Sequence, residues 1–168
     1  MSSEQPVIPQ TVSSDEEAMG LAIAAARRGV EAGQTPFGCS ITRDGRVLAV
    51  AHNRVWLETD ATAHAEVNAI REACRAVGNI DLSGSTLYAT CEPCPMCYAA
   101  AHWARVGRIV FGASIADARA AGFNELVIPA DVMRHEGRDG IELVSGFRAG
   151  DCRELFRYWR ELGRGRPY

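Results

Sequence analysis

Residues 85–113 read STLYATCEPCPMCYAAAHWARVGRIVFGA, and the order of their parts decides the fold. STLYAT (85–90) is a short apolar run bounded by Gly84, which reads as a buried strand. CPMCYAAAHWARVG (94–107) reads as a helix, with Pro95 in the first turn, where its missing N–H costs nothing. RIVFGA (108–113) is a continuous apolar run of the kind buried on both faces of a sheet. A strand, a helix and a second strand in immediate succession form a parallel crossover unit.

The flanking sequence extends this unit. Upstream, SSDEEAMGLAIAAARRGVEAG (13–33) predicts a first helix, with Ser14 and Glu17 at capping-box spacing and Gly33 as its stop. PFGCSITRDGRVLAVAHN (36–53) predicts an antiparallel hairpin, because alternating apolar residues flank Asp44-Gly45. TAHAEVNAIREACRAVG (62–78) predicts a second helix, capped by Thr62 or Asp60 and ended by Gly78. Downstream come a short helical or irregular segment, SIADARAAGF (114–123), and a last strand, IELVSGF (141–147). A last helix, AGDCRELFRYWREL (149–162), has Asp151 as a candidate cap. The expected fold is α/β: helices on both faces of a mixed five-stranded sheet, a three-layer α/β/α sandwich.

Length and composition agree. A chain of 168 residues with 47% apolar and 23% charged residues fits a single globular domain. The expected boundaries are a loose tail at 1–12, polar and carrying Pro6 and Pro9, and one domain at 13–168. No apolar run approaches a membrane span. The first residues lack the basic and apolar blocks of a signal peptide, so a cytoplasmic location is expected. The net charge of −3 gives no global electrostatic case for nucleic acid. All 18 basic residues are arginine, which we read as genome bias. The basic stretch RYWRELGRGRPY (157–168) reads as a solvated helix end.

The six cysteines are Cys39, Cys74, Cys91, Cys94, Cys97 and Cys152. In so large and apolar a chain they point to metal or catalysis before disulfides. A structural four-cysteine zinc site needs a second CxxC pair, and none exists. A thioredoxin-like redox pair belongs after a first strand, whereas this one lies past mid-chain. Cys94 and Cys97, three apart at a helix start, share one face. His64 opens the other helix. Two helix starts brought side by side would hold zinc with His64, Cys94 and Cys97 and leave the fourth position to water, as in a catalytic site. Glu66, two residues from His64, would stand by that water as the proton shuttle. Cys91 reads as a packed thiol, Cys39, Cys74 and Cys152 as small core residues, and His52, His102 and His135 as non-ligands.

His64-Ala65-Glu66 followed by Pro93-Cys94-Pro95-Met96-Cys97 resembles the zinc-dependent cytidine-deaminase-like superfamily. The resemblance implies that zinc-bound hydroxide attacks an amino-bearing ring carbon, with Glu66 passing protons to the ring nitrogen and the leaving ammonia. DATAHAEVNAIREAC (60–74), CEPCPMCYAAAHWAR (91–105), ADARAAGFNEL (116–126) and TPFGC (35–39) look like bacterial guanine deaminases and related nucleobase deaminases. This likeness implies that Phe37 walls the base pocket, Asn53 hydrogen-bonds the base, the Ala65 backbone meets it and Trp103 packs nearby. The acidic pair usual after Gly-Phe is here Asn124-Glu125; Glu125 keeps the charge and adds a methylene, which bears on guanine specificity. The likeness further implies a homodimer in which C-terminal tails can be exchanged, with Tyr168 at the end of the capping tail. The expected reaction is guanine to xanthine and ammonia, or deamination of a related amino-purine, cytosine or amino-triazine. ARVGRIVFGA (104–113) and IELVSGFRAGDCRELF (141–156) also look like tRNA adenosine deaminases, which keeps that activity as an alternative. A non-catalytic, zinc-stabilised interaction module is a third reading, and the retained Glu66 speaks against it.

Overall fold

A computed structural model describes residues 10–168. Five strands, β1 (Gly38–Arg43), β2 (Arg46–His52), β3 (Ser85–Cys91), β4 (Arg108–Ala113) and β5 (Glu142–Val144), form one sheet in the order β2-β1-β3-β4-β5. β1 runs antiparallel to both β2 and β3, while β3, β4 and β5 are parallel. The hairpin between β1 and β2 turns through Asp44 (φ 52°) and Gly45 (φ 74°), the pair of left-handed residues that a two-residue loop requires.

Helices α1 (Asp15–Glu31) and α7 (Ala149–Leu162) pack on one face; α3 (Ala65–Val77) and α4 (Pro95–Trp103) cover the other. The core between them is built from residues such as Met19, Ile41, Leu87, Ile109 and Leu155, all fully buried. α1 lies so close to β1 that a Cβ on Gly38 would stand 2.0 Å from the Ala22 carbonyl oxygen. The sequence expectation of a three-layer mixed sheet holds.

Several details differ from the sequence reading. Two unexpected helices, α2 (Val55–Glu58) and α6 (Ala130–Gly137), join α5 (Ile115–Ala120) at the edges of the domain. The last strand is three residues long, because Ser145 and Gly146 (φ 72°) already turn toward α7. Neither Thr62 nor Asp60 caps α3. Asp60 instead accepts from the Thr62 amide at 2.8 Å, closing a turn ahead of the helix, and His64 takes the cap position. Asp151 lies within the first turn of α7; Arg148 precedes the helix and pairs with Asp151 at 2.7 Å. Glu17 reaches the Ser13 amide at 2.7 Å, one residue short of a closed capping box. The expected tail at 1–12 falls largely outside the described residues, but its last part is tied down. Gln10 accepts from the Val47 amide at 2.9 Å, and the Val12 amide donates to Gly45 at 2.8 Å.

One ion pair staples the start of α1 to the sheet. Arg108 on β4 meets Asp15 with two nitrogens, at 3.0 and 2.8 Å, and the Tyr88 hydroxyl donates to the same carboxylate at 2.7 Å. The Arg108 guanidinium holds the Asp15 carboxyl below its usual range. A group with a lowered folded pKa stabilises the fold above its unfolded value and loses that contribution as the pH falls through the folded one. Asp15→Asn therefore costs about 1 kcal/mol at neutral pH, discounted for partial exposure. Denaturant titrations of both proteins should show the gap closing in acid; a gap independent of pH would disprove the role of the charge.

Candidate active site

The parallel crossover and the helix before it bring two helix N-termini together. His64 precedes α3 with φ −64° and ψ 156°, and Cys94 precedes α4 with φ −63° and ψ 166°. Both are cap residues in the same extended conformation, and neither makes a side-chain cap hydrogen bond. Each is thereby free to point at the other. Cys97, in the first turn of α4, completes the group. His64 Nδ1 lies 3.7 Å from Cys94 Sγ and 3.5 Å from Cys97 Sγ, and the three donor atoms all lie within 4.8 Å of one another.

The donor set fits zinc. With Zn–S of about 2.3 Å and Zn–N of about 2.0 Å, a tetrahedron has S···N edges of about 3.5 Å. The two Nδ1···Sγ distances match that edge. Cys91, the third sulfur of the cluster, does not join; its thiol is buried and points to the Ser114 carbonyl at 3.5 Å. Among the described residues no fourth protein donor joins the three.

Burial and mutual repulsion set the charges. Cys97, and after it His64, hold the Cys94 thiol down to about 4. Cys97 keeps its own proton, which its thiol offers to Glu66 Oε2, and is pushed well above the usual thiol range by Cys94, by burial and by the Glu66 charge. Burial opposes the His64 imidazolium, but the Cys94 thiolate and Glu66 more than offset it, and its pKa is raised. Glu66 is buried, with Oε2 3.5 Å from Cys97 Sγ, and burial lifts its carboxyl to about 7. A dication among these groups reverses the balance and favours thiolates and carboxylate.

Around this centre a narrow cleft is lined by Phe37, His64, Glu66, Cys91, Glu92, Cys94, Glu125 and Tyr168. Asn53, at the end of β2, is fully buried. Its Oδ1 accepts from the Val55 amide at 3.1 Å and its Nδ2 donates to the Tyr168 hydroxyl at 2.6 Å. Tyr168 packs beside His64, with ring centroids 5.6 Å apart, and beside Phe123 at 5.8 Å. The Asn124 amide donates to a Tyr168 main-chain oxygen at 3.0 Å. Phe37 meets Phe123 edge-on at 4.8 Å. Burial raises the Glu125 carboxyl above its ordinary value. Ala65 is fully buried between His64 and Glu66.

The structure thus gathers seven of the site residues expected from sequence around His64: Glu66, Cys94, Cys97, Phe37, Glu125, Tyr168 and, behind Tyr168, Asn53. Trp103 lies apart from them: it ends α4, is 79% exposed, meets His102 edge-on and lines no part of the cleft within this chain. Two contributors were missed. Trp56 on α2 donates to the Arg166 carbonyl at 2.9 Å and carries the Arg166 guanidinium on its ring, which fixes the C-terminal tail. Glu92 lines the cleft directly before Pro93-Cys94. Its place beside the metal motif was the available signal, whereas nothing in the sequence pairs Trp56 with Arg166.

Residues 12–113, which hold all three candidate zinc ligands and Glu66, match the family model described as the cytidine and deoxycytidylate deaminase zinc-binding region. The chain belongs to this family of zinc deaminases. It is 44% identical to guanine deaminase of Bacillus subtilis over 112 residues, 66% of this chain and 72% of that protein. It is also 36% identical to the tRNA-specific adenosine deaminase of Bacillus subtilis over 152 residues, 90% of this chain and 92% of the relative. Among solved structures, guanine deaminase from Nitrosomonas europaea superposes with a TM-score of 0.84 at 27% identity, covering 92% of this chain and 88% of that one.

Proposed function

We propose that this chain hydrolyses the exocyclic amino group of a free nucleobase, with guanine giving xanthine and ammonia. The observation that carries this reading is the enclosure of the zinc-binding side chains. Phe37, Glu125 and Tyr168 close over His64, Glu66 and Cys94, with Tyr168 as the roof. A narrow cleft with aromatic walls, carboxylates at Glu66, Glu92 and Glu125 and the Asn53 amide behind Tyr168 suits a small planar base better than a base tethered to a folded RNA. The likeness to two guanine deaminases supports the same reading.

His64, Cys94 and Cys97 would hold zinc, which when bound would supply an activated water at neutral pH. Glu66 would take a proton from the attacking water and deliver it to the ring nitrogen as the water oxygen bonds to the amino-bearing carbon, then pass the remaining hydroxyl proton to the amine as the C–N bond breaks, so that base and water yield oxo-base and ammonia. Asn53 Nδ2, bonded to the Tyr168 hydroxyl in the closed cleft, turns to a carbonyl of the base. Glu125 accepts from its N–H edge, Phe37 flanks the ring, and the Ala65 backbone lies along it. A homodimer, with C-terminal tails kept or exchanged, and a cytoplasmic location complete the proposal. Among the described residues no helix is long and apolar enough to cross a membrane.

Deamination of adenosine in tRNA has one specific observation in its favour: that relative aligns over more of the chain than the guanine deaminase does. The net charge of −3 weighs against it. The deciding measurement is ammonia release by the zinc-loaded protein from guanine, cytosine, adenine, an amino-triazine and a tRNA anticodon stem-loop. Turnover of guanine is expected. Turnover of the stem-loop alone would replace the free-base reading, and silence on every substrate would leave a non-catalytic zinc module.

A further inference from the structure

We propose that Glu92 is a positioning residue for base recognition, fastening both ends of the segment that carries Asn124 and Glu125 to the zinc-binding turn. The proposal rests on the reading above, in which Glu125 meets the base. Glu92 is itself well fixed. Its amide donates to the Ala113 carbonyl at 2.8 Å, which carries the β3–β4 pairing one residue further. Its carboxylate then spans two elements: Oε2 accepts from the Ile115 amide at 3.1 Å and Oε1 from the Ala130 amide at 2.9 Å. These are the first residues of α5 and α6, whose amides have no partner inside their own helices. Pro129, ahead of α6, offers no side-chain cap, so Glu92 serves in its place. A carboxylate there is also favoured by both helix dipoles.

Between these two anchor points run α5 and then residues 121–129. Phe123 sinks into the aromatic cluster, but Leu126, Val127 and Ile128 are exposed. The remaining ties of this stretch are short-range bonds such as Ile128 to Leu126, and the Asn124 bond to Tyr168. Glu92 therefore sets where Glu125 stands relative to Cys94, only two residues further along its own strand-to-helix turn. With both oxygens committed to backbone N–H groups, Glu92 acts by holding the loop and not by moving protons.

Glu92→Gln tests this with little change of shape. The amide keeps one acceptor but turns an NH2 toward the second backbone N–H, so one anchor is lost and two donors face each other. The variant should keep one zinc per chain, raise KM for guanine about tenfold and leave kcat within about threefold, the split expected when binding geometry and not chemistry is disturbed. Hydrogen exchange at the Ile115 and Ala130 amides should quicken. Arg108→Ala, which loosens the fold far from the cleft, should leave KM unchanged and shows that lower stability alone does not move it. An unchanged KM, loss of zinc, or unchanged exchange at both amides overturns the proposal. If the wild-type protein turns over no guanine, the substrate reading fails separately, and the exchange rates still decide the role of Glu92.

Discussion

Glu66→Gln leaves one zinc per chain and lowers kcat by about a thousandfold or more, a barrier increase of about 4 kcal/mol. The glutamine keeps the length and shape of the side chain, so the cleft around it is preserved. What disappears is the ability to accept a proton from water and release it to the base. No neighbour can take over. Cys94 and Cys97 are the candidate metal ligands, Glu92 is held by two backbone amides, and Glu125 stands on a separate loop on the far wall of the cleft. Zinc content by elemental analysis and single-turnover kinetics on whichever base is accepted check the prediction together. Near-native turnover would sink the assigned role of Glu66; lost zinc would show that it supports the metal site instead.

Much of this was legible in the sequence, and the reasons are local. Asp44-Gly45 marks a hairpin because two successive left-handed residues are costly for most side chains. The apolar run at 108–113 marks a central strand because both its faces are covered. The metal site is legible because Cys94 and Cys97 recur at helix spacing and His64 opens a second helix. What escaped was set by distant contacts or by competition. Thr62 and Asp60 are good capping residues, yet α3 starts after His64, because Asp60 closes its own turn with Thr62 and the metal ligand occupies the cap. α6 is only eight residues long and follows Pro129, too short for a period to stand out. Trp103 rests on family likeness alone, and within this chain it is exposed at the end of α4, away from the cleft lining. The lashing of the tail by Trp56 joins residues 110 apart in sequence.

Removal of zinc by a chelator abolishes activity and lowers the melting temperature by about 10 °C, and the size of that drop grows with pH. The first part follows from mass action: a ligand present at about a thousand times its Kd stabilises the fold by about 4 kcal/mol, which at this chain length is roughly 10 °C. The pH dependence follows from the protons. Zinc needs Cys94 and Cys97 as thiolates and His64 neutral at its ligating nitrogen. Without the metal, Cys97 keeps its proton far into the alkaline range, and burial holds a proton on Glu66 up to about 7. Both folded pKa values lie above their ordinary ones, so the stripped fold still carries these protons and must release them to bind zinc, whereas Cys94, already down to about 4, has none to release. Zinc therefore binds the stripped fold more tightly as the pH rises, and the loaded fold gains on it. The difference in melting temperature between loaded and stripped protein should therefore widen from pH 5.5 to pH 8 and return in full when zinc is added back. A difference that narrows over that range would mean that the thiolates and Glu66 are not the groups the metal discharges.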